Sequence, residues 1–307
     1  MMQRIKIIVD TPCDITDEEL KKYEIGMVGV PITVDGVGYI ERESFTCEEF
    51  YPILEAAKSL PTTSRVPFDS FLEKYEEAWD DGYTDVIVIT LNAGGSAINE
   101  SAQMAAKQFF EEVSGAVNMF AIHIVDSMTY SIAYGYPAIR AAMMAKEQKS
   151  VDDILNYLCD VFSRTESCLV CYTLDYAKKS GRITAAAALA GTLLGLRPTI
   201  AMIDGETTIT AKSRGDRTAT KNLIETYLKR RVSADDPALV VSGSTDAYGR
   251  MLRKQLEDEL HRGIPHYKAG AAITINAGPR MAALCFLSEK RALPDHIKSL
   301  VVTVDGK

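Results

Sequence analysis

The run Asp85-Val-Ile-Val-Ile-Thr-Leu91 is apolar at consecutive positions, not at alternate ones. A strand built from it needs cover on both faces, which places it inside a layered α/β domain. The flanking segments supply that cover. Phe68 to Asp80 is amphipathic, and a helix from about Ser96 to Glu112 carries alanines and methionines on one side. Upstream, Arg4 to Val9 is a β-branched run ending in Asp10, and Thr16-Asp-Glu-Glu caps a short helix to Tyr23. Ile25 to Val34 reads as the second strand, closed by a turn at Asp35-Gly36. Thr46-Cys-Glu-Glu opens a helix that ends before Pro61. Phe120 to Val125 is a further strand, and Thr129 to Gln148 and Val151 to Phe162 are helices. Strands separated by helices of this length predict a parallel, doubly wound sheet.

The second half has another rhythm. Cys168 to Thr173, Arg197 to Met202 and Thr207 to Ala211 are short strands, the last two joined as a hairpin through Asp204-Gly205. Thr218 to Arg231 is a helix, Ala238 to Ser242 a strand and Asp246 to Leu260 a helix. Strands near Ile264 to Tyr267 and Met281 to Leu287 complete the pattern. This predicts an α+β domain with a mixed or antiparallel sheet. The expected boundary lies near Ser163 to Ser167, dividing residues 1–164 from 165–307.

With 307 residues, each half is long enough to bury its own core. The net charge of −8 draws the surface to neither nucleic acid nor anionic lipid. No apolar run approaches about 20 residues and no leader of the secretory type is visible, so the expected location is the reducing cytoplasm, with no integral membrane association. The six cysteines fit that compartment. Cys168-Leu-Val-Cys171 has CxxC spacing but lies in a β-like run with no second ligand pair, so buried core thiols are expected.

Three loops hold the candidate functional residues. Leu60-Pro-Thr-Thr-Ser-Arg-Val-Pro67 is restricted by two prolines, leaving Thr62, Thr63 and Ser64 either as preset donors or as caps of the helix beginning near Phe68. Thr90-Leu-Asn-Ala-Gly-Gly-Ser-Ala-Ile-Asn99 follows the buried strand, at the edge where open parallel sheets bind ligands. Gly95 permits close backbone approach, and Ser96 stands either beside the first helical N–H groups as part of an anion site or as a plain N-cap. In Lys178-Lys-Ser-Gly-Arg-Ile-Thr184, Arg182 faces a partner, an anion or solvent.

A catalytic apparatus is not visible. Gly94-Gly-Ser-Ala-Ile98 resembles a nucleophile elbow, but Ile98 stands where GxSxG needs glycine. His123 sits in an apolar run, as a satisfied buried histidine would. His261, His266 and His296 lack metal spacing, and no phosphate-binding glycine loop follows the first strand. A small-molecule hydrolase or transferase using Ser96 remains the alternative, and a purely regulatory interaction module a third class.

Several segments also resemble one family. Val9-Asp-Thr-Pro-Cys-Asp14 is similar to the opening TDSTxDL of the DegV family, and Pro61-Thr-Thr-Ser to its PTTSQP loop. Gly94-Gly-Ser-Ala-Ile-Asn-Glu-Ser-Ala102 resembles SGLSGTYQSA, and Ile124-Val-Asp-Ser127 resembles VIDS. Lys178-Lys-Ser-Gly-Arg-Ile183 resembles LxKGGRIS, and Leu194 to Ile200 resembles LLxIKPIL, with Asp204-Gly205 and Arg214 following in order. The resemblance covers nearly the whole chain. It implies a Rossmann-like N-terminal domain, a C-terminal α+β domain, and a long-chain fatty acid held between them without catalysis or cofactor. The carboxylate anchors would fall on Thr63 and Ser96, with Thr62, Ser64, Arg65 and Gly95 as neighbours. Some members deliver the acid to a separate fatty acid kinase, and an arginine matching Arg214 is implicated in that docking. Arg65 replaces the usual glutamine, and Asn276 stands where a histidine is often found near the head group.

Overall fold

The computed structural model describes residues 3–187, 195–294, 297 and 299–306, so Leu194 and His296 lie outside the described residues. In chain order the strands are β1 (Ile5–Asp10), β2 (Gly26–Val28), β3 (Pro31–Val34), β4 (Val37–Ile40), β5 (Thr62–Thr63), β6 (Asp85–Thr90), β7 (Ala121–Asp126), β8 (Thr165–Cys171), β9 (Leu196–Ile203), β10 (Glu206–Arg214), β11 (Ala238–Ser242), β12 (His266–Lys268), β13 (Met281–Leu287) and β14 (Val301–Val304). The helices are α1 (Asp17–Tyr23), α2 (Cys47–Ala56), α3 (Phe68–Asp80), α4 (Ile98–Glu112), α5 (Ile132–Lys146), α6 (Val151–Phe162), α7 (Asp175–Ser180), α8 (Thr184–Ala187), α9 (Asp216–Arg230), α10 (Asp246–Leu260) and α11 (Ala271–Ala277).

The first sheet runs β14-β7-β6-β1-β2, parallel except for β14. β6 lies at its centre with every residue buried, as its unbroken apolar run requires. Thr16, Thr46 and Ser150 all form reciprocal capping boxes with the acidic residue three positions on. His123 is buried and satisfied, with Nδ1 3.0 Å from Thr303 Oγ1 and Nε2 3.3 Å from Asp85 Oδ1.

The second sheet runs β10-β9-β8-β13-β11-β12, antiparallel except between β11 and β12. Asp204 and Gly205 turn the β9–β10 hairpin with φ of 51° and 81°, a type I′ signature. One face of this sheet, including Val170, Leu284 and Phe286, packs under α9 and α10. The other, including Leu169, Val241 and Ala283, joins the core of the first sheet. Cys168 and Cys171 are three apart on one strand and therefore point to opposite faces. They cannot act as a pair, and burial pushes both thiols up to about 12.

Helix α5 joins the two layers. Its buried residues surround it because β1 and β6 lie on one side and β8, β11 and β13 on the other. Gly135 is required there: a Cβ would collide with the Cys13 carbonyl oxygen and come within 2.8 Å of Ile15 Cγ1.

Two expectations need correction. Ile25 to Val34 is not one strand. The chain leaves the first sheet at Gly29, where a side chain would collide with Ile40, and Pro31 opens β3 in a separate antiparallel sheet, β4-β3-β5. Nor do residues 165–307 stay together. β14 returns to pair antiparallel with β7, Val301 opposite Val125, covering what would otherwise be a bare sheet edge.

Candidate functional site

Three parallel strands end along one edge of the first sheet, and each is followed by a loop that turns toward the second sheet. After β1 comes a single 3₁₀ turn, Thr11–Cys13. After β6 comes the Gly-Gly-Ser loop, and after β7 the segment leading to Ser131, the N-cap of α5. A cavity of about 660 Å³ opens at these strand ends. Its far wall is the inner face of the second sheet, with Leu169, Met202, Val241, Ala283 and Cys285, and its flank is α11, through Ala272, Ile273, Asn276 and Ala277.

The rim is polar where the walls are not. Thr63, Ser64 and Arg65 reach it from β5 and the loop beyond, a segment fixed by the pairing of Thr63 with Ile32 and by Ser64 N–H donating to the Pro31 carbonyl at 2.9 Å. These hydroxyls are not caps of α3, whose N-cap is Pro67 without a side-chain hydrogen bond. Ser96 also lines the cavity. It precedes the N-cap Ala97, so α4 begins later than the sequence predicts, and its Oγ accepts from Ile98 N–H at 3.3 Å.

The Gly-Gly-Ser loop is braced by residues that follow both sheets' strands. Asn92 Nδ2 donates to Tyr130 Oη at 2.7 Å and to the Gly205 carbonyl of the β9–β10 turn at 3.1 Å. Arg182 donates to the Gly95 carbonyl at 2.8 Å. A Cβ at Gly95 would collide with the Tyr130 hydroxyl. Asp126 accepts from the N–H groups of Ala93 at 3.0 Å and Met128 at 2.9 Å, and burial raises its carboxyl above the usual range in spite of them.

Thr63, Ser64, Arg65, Gly95, Ser96, Arg182 and Asn276 therefore share one cavity. Thr62 points elsewhere, and Arg214 is exposed at the end of β10. Arg65 is about half exposed and lies 3.9 Å from Glu100, a loose surface pair. Sequence reasoning passed over Tyr130 and Gln103. Tyr130 follows a parallel strand just as Ser96 does, and the strand-end rule applied to β7 as well as β6 finds it.

The lining offers the hydroxyls of Thr63, Ser64 and Ser96, the carboxamide of Asn276 and the guanidinium groups of Arg65 and Arg182, with the Glu100 carboxylate beside Arg65, over apolar walls. This donor set suits a polar or anionic head group with an apolar tail. Among the described residues no histidine lines the cavity, and the carboxylate that does, Glu100, is exposed and lies 3.9 Å from Arg65. Ser242, His266 and Asp246 do meet elsewhere, with His266 Nε2 2.8 Å from Ser242 Oγ and 3.7 Å from Asp246 Oδ1. One nitrogen faces both partners and Ser242 is fully buried, so neither a proton relay nor substrate access results.

Comparison with known proteins places the chain. A family profile described as "Uncharacterised protein, DegV family" matches residues 4–289. The chain belongs to the DegV family. Among DegV relatives, a DegV domain-containing protein of Staphylococcus aureus strain COL is 31% identical over 258 residues, covering 83% of this chain and 87% of its own. Another, from strain N315, is 28% identical over 291 residues, covering 94% and 98%. A fatty-acid-binding DegV family protein from Thermus thermophilus superposes with a TM-score of 0.81 at 23% identity, covering 94% of this chain and all of its own (100%). DegV from Bacillus subtilis, a fatty acid binding protein, gives 0.80 at 22% identity with the same coverage. At these identities the structures establish a common DegV fold: a Rossmann-like parallel sheet followed by a mixed, mostly antiparallel one. Among the described residues of this DegV chain, no helix is long and apolar enough to cross a membrane.

Proposed function

We propose that the protein binds a long-chain fatty acid in this cavity, between its two lobes, and performs no chemistry on it. The observation that carries the reading is a single cavity with hydroxyl donors at its rim and aliphatic walls beneath them. DegV proteins from Thermus thermophilus and Bacillus subtilis are fatty acid binders, and a solved relative from Eubacterium ventriosum is a stearic-acid-binding protein. In this reading the carboxylate accepts hydrogen bonds from Thr63 and Ser96, with Asn276 and Arg182 completing the head-group end. The tail lies against Leu169, Val241 and Ala283.

The energetics fit a passive holder. Each buried methylene contributes about 0.8 kcal/mol, so a chain of roughly 16 carbons gains on the order of 10 kcal/mol before the cost of association. A carboxylate carried into such a site needs a few oriented donors to offset its desolvation, and hydroxyls supply them without a permanent buried cation. The tail sets affinity and the rim sets orientation. Presentation of the bound acid to a fatty acid kinase belongs to the same reading, with the exposed Arg214 as the docking residue.

Native mass spectrometry of gently purified protein tests the reading. The expected spectrum shows a retained mass matching a long-chain fatty acid, released on denaturation. Protein that stays ligand-free after incubation with a panel of such acids would contradict it.

A further inference from the structure

Helix α11, from the second half of the chain, is held by two buried carboxylates of the first half. Asp14 Oδ1 accepts from Gly270 N–H at 2.7 Å, and Glu41 Oε1 accepts from Ala272 N–H at 2.9 Å. Their second oxygens are occupied too: the Ser131 hydroxyl donates to Asp14 Oδ2, and the Thr11 hydroxyl to Glu41 Oε2 at 2.6 Å. Asp14 follows β1 and Glu41 follows β4, whereas α11 lies between β12 and β13. Asp14 is 7% exposed and Glu41 1%. Gly270 leaves them room, since a Cβ there would stand 2.8 Å from Glu41 Oε1 and 3.0 Å from Asp14 Oδ1.

The helix they grip has two faces. Ala271 and Ile275 pack on the apolar cluster of β3 and α2, and Ala272, Ile273 and Asn276 line the cavity. Opening the cavity along this wall exposes two N–H groups and two carboxyls that are now mutually satisfied. We infer that Asp14 and Glu41 are positioning residues: they clasp the start of α11 across the two lobes and set how fast the cavity wall parts to exchange its ligand. The ligand in this inference is the fatty acid of the preceding section, on which the exchange readout rests.

The test uses the full chain with Asp14→Ala and Glu41→Ala, each paired with its amide counterpart, Asp14→Asn and Glu41→Gln, which keeps a carbonyl acceptor. Release of bound cis-parinaric acid is followed by stopped-flow fluorescence, and hydrogen–deuterium exchange is read at residues 270–277. Each alanine variant is expected to speed release by about tenfold, the scale of one lost hydrogen bond, and to speed exchange at α11 before the rest of the chain. The amide variants are expected to return both readouts toward wild type. Unchanged release and exchange in the alanine variants would overturn the inference. So would a uniform rise in exchange along the whole chain, which marks a general loss of stability. If an alanine variant does not fold, Ser131→Ala and Thr11→Val remove only the orienting hydroxyls and should give a smaller acceleration at the same amides. If wild type takes up no parinaric acid, the fatty acid reading fails, and exchange at α11 still decides the clasp.

Discussion

Thr63 and Ser96 come to one rim from different sheets, 33 positions apart in sequence; Thr63 caps no helix, and Ser96, one residue before the N-cap of α4, accepts at 3.3 Å from Ile98 N–H. A side-chain donor to a charged acceptor contributes about 1.5–3 kcal/mol. Removing both hydroxyls, by Thr63→Ala with Ser96→Ala, is therefore expected to weaken fatty acid binding by at least about tenfold while leaving the melting temperature nearly unchanged. Titration calorimetry against palmitic acid measures it, and equal affinity would remove the two residues from the site. That their two loops would reach the cavity was legible because proline brackets one loop and glycines mark the other, local signals of a constrained backbone. Tyr130, Asp14 and Glu41 gave no such signal. The partner of Asp14 on α11 lies 256 residues away, a contact that only tertiary structure creates.

Elements whose periodicity was strong match their predicted bounds: α3, α6, α10, β11 and β13 do so at both ends. Short ones do not. β5 has two residues and β14 four, too few for a pattern to register, and their membership in a sheet depends on distant partners. Helix α5 lacked a broad polar face because most of its surface lies between layers. Gly135→Ala should drive it off the turn after β1 and cost about 1–3 kcal/mol or more, read by denaturant unfolding. A change below about 0.5 kcal/mol would mean that the contact relaxes freely. The same turn carries a pH signature. Burial lifts the Asp10 carboxyl to about 7 and that of Asp14 to about 8, and raises Glu41 as well. In the unfolded chain these groups ionise near pH 4. The folded protein thus holds protons that the unfolded chain releases, so their contribution to stability is full below about pH 4 and lost as pH rises through 7 to 8. The melting temperature is expected to fall between about pH 5 and pH 8; a steady rise would show that these carboxyls ionise freely when folded.

At the scale of the molecule, the alternation of strand and helix foretold a parallel sheet, and the hairpin at Asp204-Gly205 foretold the antiparallel part of the second. The stacking of the two sheets about α5 was not written in any local pattern, nor was the return of the last strand to the first sheet. That stacking brings the carboxyl ends of β1, β6 and β7 to face β8 and β13, and the cavity is lined by residues from both surfaces. The most direct measurement is a crystal structure of the protein with palmitic acid. The carboxylate should lie within hydrogen-bond distance of Thr63 Oγ1 and Ser96 Oγ, with the tail running along Leu169 and Ala283. A lipid bound on another surface, or one whose carboxylate points away from both hydroxyls, would contradict the account.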